Sequence, residues 1–168
     1  MTTPQPESQP TLAWLDGRDL IPTVAWHDPT LTAGFDPAGS YVETYWLPGL
    51  GPSATWALRR IAGWLADASD SGLWLPVEPL ARSLGLGAPG GRNSTVRRTI
   101  GRLIDFRLAH VDHDRDVLAV RTVIPALSGK AIDRLPGHLA VQHRLDYPDG
   151  AAGPHVVEAR VARPRCPA

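Results

Sequence analysis

Apolar residues recur at helical spacing from Ala54 to Ala68, through Ala57, Leu58, Ile61, Trp64 and Leu65. The i, i+3, i+4, i+7 pattern predicts one buried face of an α-helix. Leu47-Pro-Gly-Leu-Gly-Pro-Ser53 punctuates the chain ahead of it, with Pro52 suited to a first turn and Ser53 to a cap. Asp70-Ser71-Gly72 ends it. Leu73-Trp74-Leu75, closed by Pro76, predicts a short edge strand. From Val77 to Leu84 a second helix places Leu80, Ala81 and Leu84 together, with Gly85 at its C-cap position. The run Gly85 to Gly91 cannot continue a helix, and Asn93, Ser94 and Thr95 offer caps for a third over 92–107. Its inner face is Val96, Ile100, Leu103 and Ile104; its outer face is Ser94, Thr95, Arg98, Gly101, Arg102 and Asp105. Leu108 to Val111 and Val117 to Ile124 are β-type runs joined by the polar Asp112 to Asp116, which predicts a hairpin.

Outside this core the pattern is looser. Residues 11–52 form an arm with short apolar runs, among them Leu12, Trp14, Leu15, Leu20, Ile21, Val24 and Trp26, split by Asp16-Gly17 and His27-Asp28-Pro29. Extended segments or short strands are expected there, and Trp14 and Trp26 need a covering surface, either the domain itself or a partner protein. Residues 125–146 predict a short helical extension through Ile132, Leu135, Leu139 and Leu145, interrupted by Pro136. The ends, 1–10 and 147–168, are rich in Pro, Gly and polar residues and are expected as disordered tails.

The order helix, strand, helix, turn, helix, hairpin is similar to that of the winged helix-turn-helix superfamily. The resemblance is carried by Leu75-Pro-Val-Glu-Pro-Leu-Ala-Arg-Ser-Leu-Gly-Leu86 and Ser94-Thr-Val-Arg-Arg-Thr-Ile-Gly-Arg-Leu-Ile-Asp-Phe-Arg-Leu-Ala109. These look like the second and recognition helices of bacterial regulators of the GntR and MarR type, over roughly residues 53–123. The expected fold is therefore α+β and mainly helical: a three-helix core with a β-hairpin wing over 53–124, an extended N-terminal arm and a short C-terminal helical segment. The resemblance implies double-stranded DNA as partner, read by the third helix in the major groove, and a transcriptional regulator as the function. Two features depart from it. The turn from Gly85 to Gly91 is longer than the usual three or four residues, and the wing tip sets Asp112, Asp114 and Asp116 against Arg115 alone. A shorter stretch, Tyr45-Trp-Leu-Pro-Gly-Leu-Gly-Pro-Ser-Ala54, resembles the entry to winged-helix domains of primosomal helicase loaders. It supports an alternative, a protein–protein interaction module in replication or transcription machinery.

Charge bears on this directly. The 17 basic and 17 acidic residues cancel, which argues against a chain built mainly to hold phosphates. Locally the balance differs: Arg92 to Arg107 carries five arginines against Asp105. Arg98 and Arg102, one turn apart, are placed to approach guanine edges. Asn93, Ser94 and Thr95 are placed for phosphates or base edges, and Arg92, Arg97 and the wing's Arg115 for phosphates. A dimer, through the arm or residues 126–145, would pair two half-sites.

Other chemistry finds little footing. Gly85-Leu-Gly87-Ala-Pro-Gly90 fits the spelling of a dinucleotide loop but follows a helix, where a strand is required. Asp112, Asp114 and Asp116 begin like a calcium loop, yet Val117 and Val123 occupy the positions that need Gly and Glu. The only cysteine, Cys166, has no base near it in sequence, and no nucleophile motif occurs. No enzyme activity, metal or cofactor is expected. The polar start of the chain and the lack of an apolar run approaching ~18 residues give no membrane span and a cytoplasmic expectation.

Overall fold

The strand that organises the sheet comes from the N-terminal arm. In the computed structural model, which describes residues 13–31, 33–68, 71–87, 94–148 and the backbone of 156–158, β1 is Leu20–Trp26. It lies between β3 (Leu73–Pro76) and β5 (Val117–Arg121), with β4 (Ala109–Asp112) outermost, in a four-stranded sheet of order β3-β1-β5-β4. β1 runs antiparallel to β3, setting Ile21 opposite Leu75, and parallel to β5, setting Thr23 opposite Leu118. Ile21, Thr23, Leu75, Leu118 and Val120 are buried. The sequence pattern predicts an arm packed onto a finished domain; the arm instead supplies an interior strand, and it separates the edge strand β3 from the hairpin.

Gly72 makes that insertion feasible. It has φ +86°, and a Cβ there would sit 2.3 Å from the Thr23 carbonyl oxygen and 2.8 Å from Val24 Cγ1. Only glycine combines the left-handed backbone with so close an approach to a neighbouring strand.

Helices cover the inner face of the sheet. The long α3 (Pro52–Asp67) buries Ala54, Ala57, Leu58, Ile61 and Leu65, as its periodicity predicts. Later in the chain come α4 (Val77–Ser83), closed by Gly85 at φ +66°, and α5 (Thr95–Asp105). Their buried residues Val77, Leu80, Ala81, Val96, Ile100 and Leu103 join those of α3 in one core. The architecture is α+β with a mixed sheet.

Two segments differ from the pattern. Residues 42–50, read as arm and punctuation, are helical: α1 (Val42–Trp46) is wound as a π-helix and continues into α2 (Leu47–Leu50). Pro48 lies in the first turn of α2, and Gly51 at φ +83° makes the break. Within the segment expected as a C-terminal tail, Val156–Glu158 forms β6, which pairs antiparallel with β2 (Ala33–Phe35). The tail expected over 1–10 lies outside the described residues. Two short helices, α6 (Gly129–Ile132) and α7 (Gly137–Asp146), flank Pro136, as its interruption of the pattern predicts. Among the described residues no helix is long and apolar enough to cross a membrane.

The last helix, α7, meets the body through aromatic and polar contacts. His143, 2% exposed, lies 2.8 Å through Nε2 from the Tyr41 hydroxyl, which also accepts the Leu127 N–H at 2.9 Å. Tyr45 donates its hydroxyl to Asp146 at 2.8 Å. Phe35 stacks on Tyr41 at 3.5 Å, and Tyr147 stands edge-on to both. Burial lowers the His143 pKa below its ordinary 6.5, and burial raises that of Tyr41 to about 12. The groups facing His143 are Tyr41, Tyr45, Tyr147 and Asp146, with Arg144 its neighbour on the helix.

Two outcomes are expected. Gly72→Ala destabilises by about 2–4 kcal/mol, the sum of left-handed strain and a forced strand separation, measured by chemical denaturation. The fold holds His143 neutral where the unfolded chain's imidazole takes a proton. Its contribution is therefore complete above pH ~6.5 and declines as pH falls below it. The thermal midpoint should drop over that interval, and His143→Leu should flatten the drop, leaving the part due to His110, whose pKa burial also lowers.

Candidate nucleic-acid interface

Helix α5 is amphipathic on a narrower outer face than its sequence implies. Thr95, Arg98, Arg102 and Asp105 are exposed along one stripe. Ser94 and Gly101, placed by periodicity on that face, are buried, and so is Arg97, at 7% exposed. These three fall at i, i+3 and i+7, a flank of the helix that the sequence treats as open. The segment Trp14 to Arg18 covers it at Arg97: the guanidinium donates to the Leu15 carbonyl and lies 3.5 Å from the Asp16 carboxylate. Leu15 is fully buried. Arg97 is thus turned inward, away from the role of phosphate contact expected of it.

The other cations of α5 divide. Arg102 donates from Nε to the Leu50 carbonyl and from Nη2 to that of Gly49 at 2.6 Å, so it closes the C-terminus of α2. Cations are favourable there because the last carbonyls of a helix lack partners. The Arg98 guanidinium has no hydrogen bond or ion pair among the described residues, and the residue is exposed. Ser94 occupies the N-cap position, but its hydroxyl makes no capping bond and is buried without a partner among the described residues. Thr99 donates back to the Thr95 carbonyl at 2.8 Å. Arg92 and Asn93 lie outside the described residues.

The hairpin tip is partly discharged by the arm. Asp116 accepts bonds from both Arg18 terminal nitrogens, at 2.8 and 3.0 Å, and from the Trp14 indole at 2.7 Å. These bonds lower its carboxyl pKa. Arg18 also lies 4.2 Å over the Trp14 ring. Asp112 accepts the Arg115 backbone N–H at 3.2 Å, leaving the Arg115 side chain exposed at the tip with Asp114. Among the described residues no group of three or more His, Cys, Asp or Glu side chains is placed to hold a metal ion.

Trp26 is likewise engaged within the chain. Arg121 lies 3.7 Å over its ring and His110 meets it edge-on at 4.5 Å. Arg121, nearly buried, bonds Asp28 at 2.6 Å and the Arg107 carbonyl at 3.0 Å. The hydrogen bonds from Thr30 and Arg121 bring the Asp28 pKa down to about 2. Sequence reasoning missed Arg121; its one signal was an arginine ending an otherwise apolar strand.

No protein-family model, curated protein or solved structure matches this chain.

The two arginine contacts of the arm differ in burial, and their removal should differ accordingly. Arg97→Ala leaves the Leu15 carbonyl and a cavity uncompensated and should cost about 2–4 kcal/mol. Arg18→Ala removes a largely solvated pair and should cost under about 1 kcal/mol. Urea denaturation of both variants checks the contrast.

Proposed function

We propose that the segment from α3 to β5 is a winged helix that binds double-stranded DNA, with α5 as the reading helix, and that the protein is a transcriptional regulator. The observation that carries this reading is the exposed stripe Thr95, Arg98, Arg102 on α5, in which the Arg98 guanidinium has no partner among the described residues. A guanidinium presented on a rigid helix suits bidentate contact with a guanine edge, and Thr95 in the first turn suits a phosphate. Arg115 at the hairpin tip adds a phosphate contact beside Asp114. With Arg97 buried and Arg102 occupied by carbonyls, the electrostatic footprint is small. The salt dependence of binding should therefore be shallow, and affinity from one copy modest. Two copies paired through residues 126–145 would raise it. Val141 and Leu145 on α7 are the uncovered apolar positions there, whereas Trp14 and Trp26 have partners within the chain.

A second reading, a protein-interaction module, is favoured by the outer face of the sheet. Trp74, 66% exposed, and Leu20, 53% exposed, stand there with Pro22. An uncovered tryptophan on a sheet face is a common anchor for a protein partner.

The deciding experiment is selection from random duplex DNA, followed by binding across a salt series with wild type, Arg98→Ala and Trp74→Ser. On the DNA reading, a motif is selected, binding weakens with salt, Arg98→Ala costs about 1–3 kcal/mol and Trp74→Ser leaves affinity unchanged. No binding at low salt overturns it in favour of the sheet-face reading.

A further inference from the structure

A cleft of about 380 Å³ opens between α1 and α7, away from the residues assigned above to DNA. Tyr41, Tyr45 and Tyr147 form its aromatic wall, and Ser40, Thr44 and Gln142 supply hydroxyl and amide groups. The tyrosine rings lie 5.1–5.9 Å apart between centroids, with Tyr147 nearly perpendicular to the other two. Among the described residues of the lining the one charged side chain is Asp146. Its Oδ2 takes the Tyr45 hydroxyl at 2.8 Å, which fixes the carboxylate at the cleft and leaves Oδ1 to a ligand. Arg144, the nearest cation on α7, is drawn off to Asp133 at 2.7 Å, so no positive group of that helix neutralises Asp146.

The chemistry of this lining selects a class of ligand. Asp146 gives the cleft a full negative charge, and the half-buried Tyr147 ring offers an aromatic surface beside it, while Tyr41 and Tyr45, 1% and 3% exposed, form the floor. An anion would be repelled by both, whereas a cation with an apolar stem satisfies both and leaves its N–H groups to Ser40, Thr44 and Gln142. We infer that the cleft binds an organic cation, an alkylguanidinium or alkylammonium group, whether on a free small molecule or on a protein side chain. The π-helical winding of α1 fits such a role: Tyr45 lies within it and Tyr41 at its N-cap, and π-turns are frequent at functional sites. The inference rests on α1, α7 and the residues beside them, and is independent of whether α5 binds DNA.

The test is an NMR titration of the full chain at constant ionic strength with butylguanidinium, butylammonium and the neutral isostere butylurea. Both cations should shift the amides of Thr44, Gln142 and Asp146 saturably, and butylurea should not. Gln142 is exposed, so its variants probe charge without disturbing the core: Gln142→Lys should abolish binding and Gln142→Glu should tighten it. Asp146→Asn should weaken binding about tenfold or more, the loss of a charge-assisted contact. A peptide with a central arginine, compared with its citrulline counterpart, separates the two sources. Tighter binding of the arginine peptide than of butylguanidinium assigns the cleft to a protein side chain, and the reverse assigns it to a small molecule. Absence of saturable shifts, equal shifts from butylurea, or indifference to Gln142→Lys would each overturn the inference.

Discussion

The pairing of β1 with both β3 and β5 is the contact on which the remaining architecture depends. Without β1, the four residues of β3 have no ladder partner among the described residues, and β4 and β5 are left as a two-stranded hairpin. An isolated hairpin is marginal in water. Two features hold β1 in place. At one side Gly72 lets the chain cross within contact of the Thr23 carbonyl. At the other, Arg121 joins the end of β5 to Trp26 and Asp28. The Trp14 to Arg18 segment ahead of β1 then falls naturally between α5 and the hairpin tip, where it covers Arg97 and binds Asp116.

That placement changes the meaning of the arginines. Their guanidinium groups carry five donors in a planar fork, which makes them efficient bridges to backbone carbonyls inside a protein. Arg97, Arg102 and Arg121 are used in this way, on Leu15, on Gly49 and Leu50, and on Arg107. The basic run from Arg92 to Arg107 is therefore in part an internal scaffold, and a count of charges overstates the field that a phosphate backbone would meet. The acidic hairpin is overstated for the same reason, because Arg18 neutralises Asp116.

The C-terminal helix follows a different logic. Its buried positions are few, Ala140 and His143, and its docking relies on tyrosine hydroxyls and ring edges instead of an aliphatic seam. Such an interface leaves polar concavities where an aliphatic one would close, and the cleft at Asp146 is one. It carries charge of the opposite sign to the exposed arginines of α5, so the two surfaces suit partners of different chemistry.

The sequence alone determined the elements whose periodicity is local. The helical face from Ala54 to Leu65, the stop at Gly85, the hairpin around Asp112 to Asp116 and the break at Pro136 all follow from spacing and backbone preference, which act over a few residues. It also placed Thr95, Arg98, Arg102 and Asp105 on one exposed stripe, since a helix fixes which residues share a face. What it could not fix was what lies against that helix. Ser94 and Gly101 look outward by periodicity, with Arg97 on their flank, and all three are buried in fact, on the side that a segment some 80 residues earlier in the chain reaches at Arg97. The same holds for β1, for β6 and for the contact of His143 with Tyr41, which is 102 residues distant. Strand partners and covering surfaces are chosen by long-range packing, and hydrophobic pattern records only that a surface must be covered, not which one covers it.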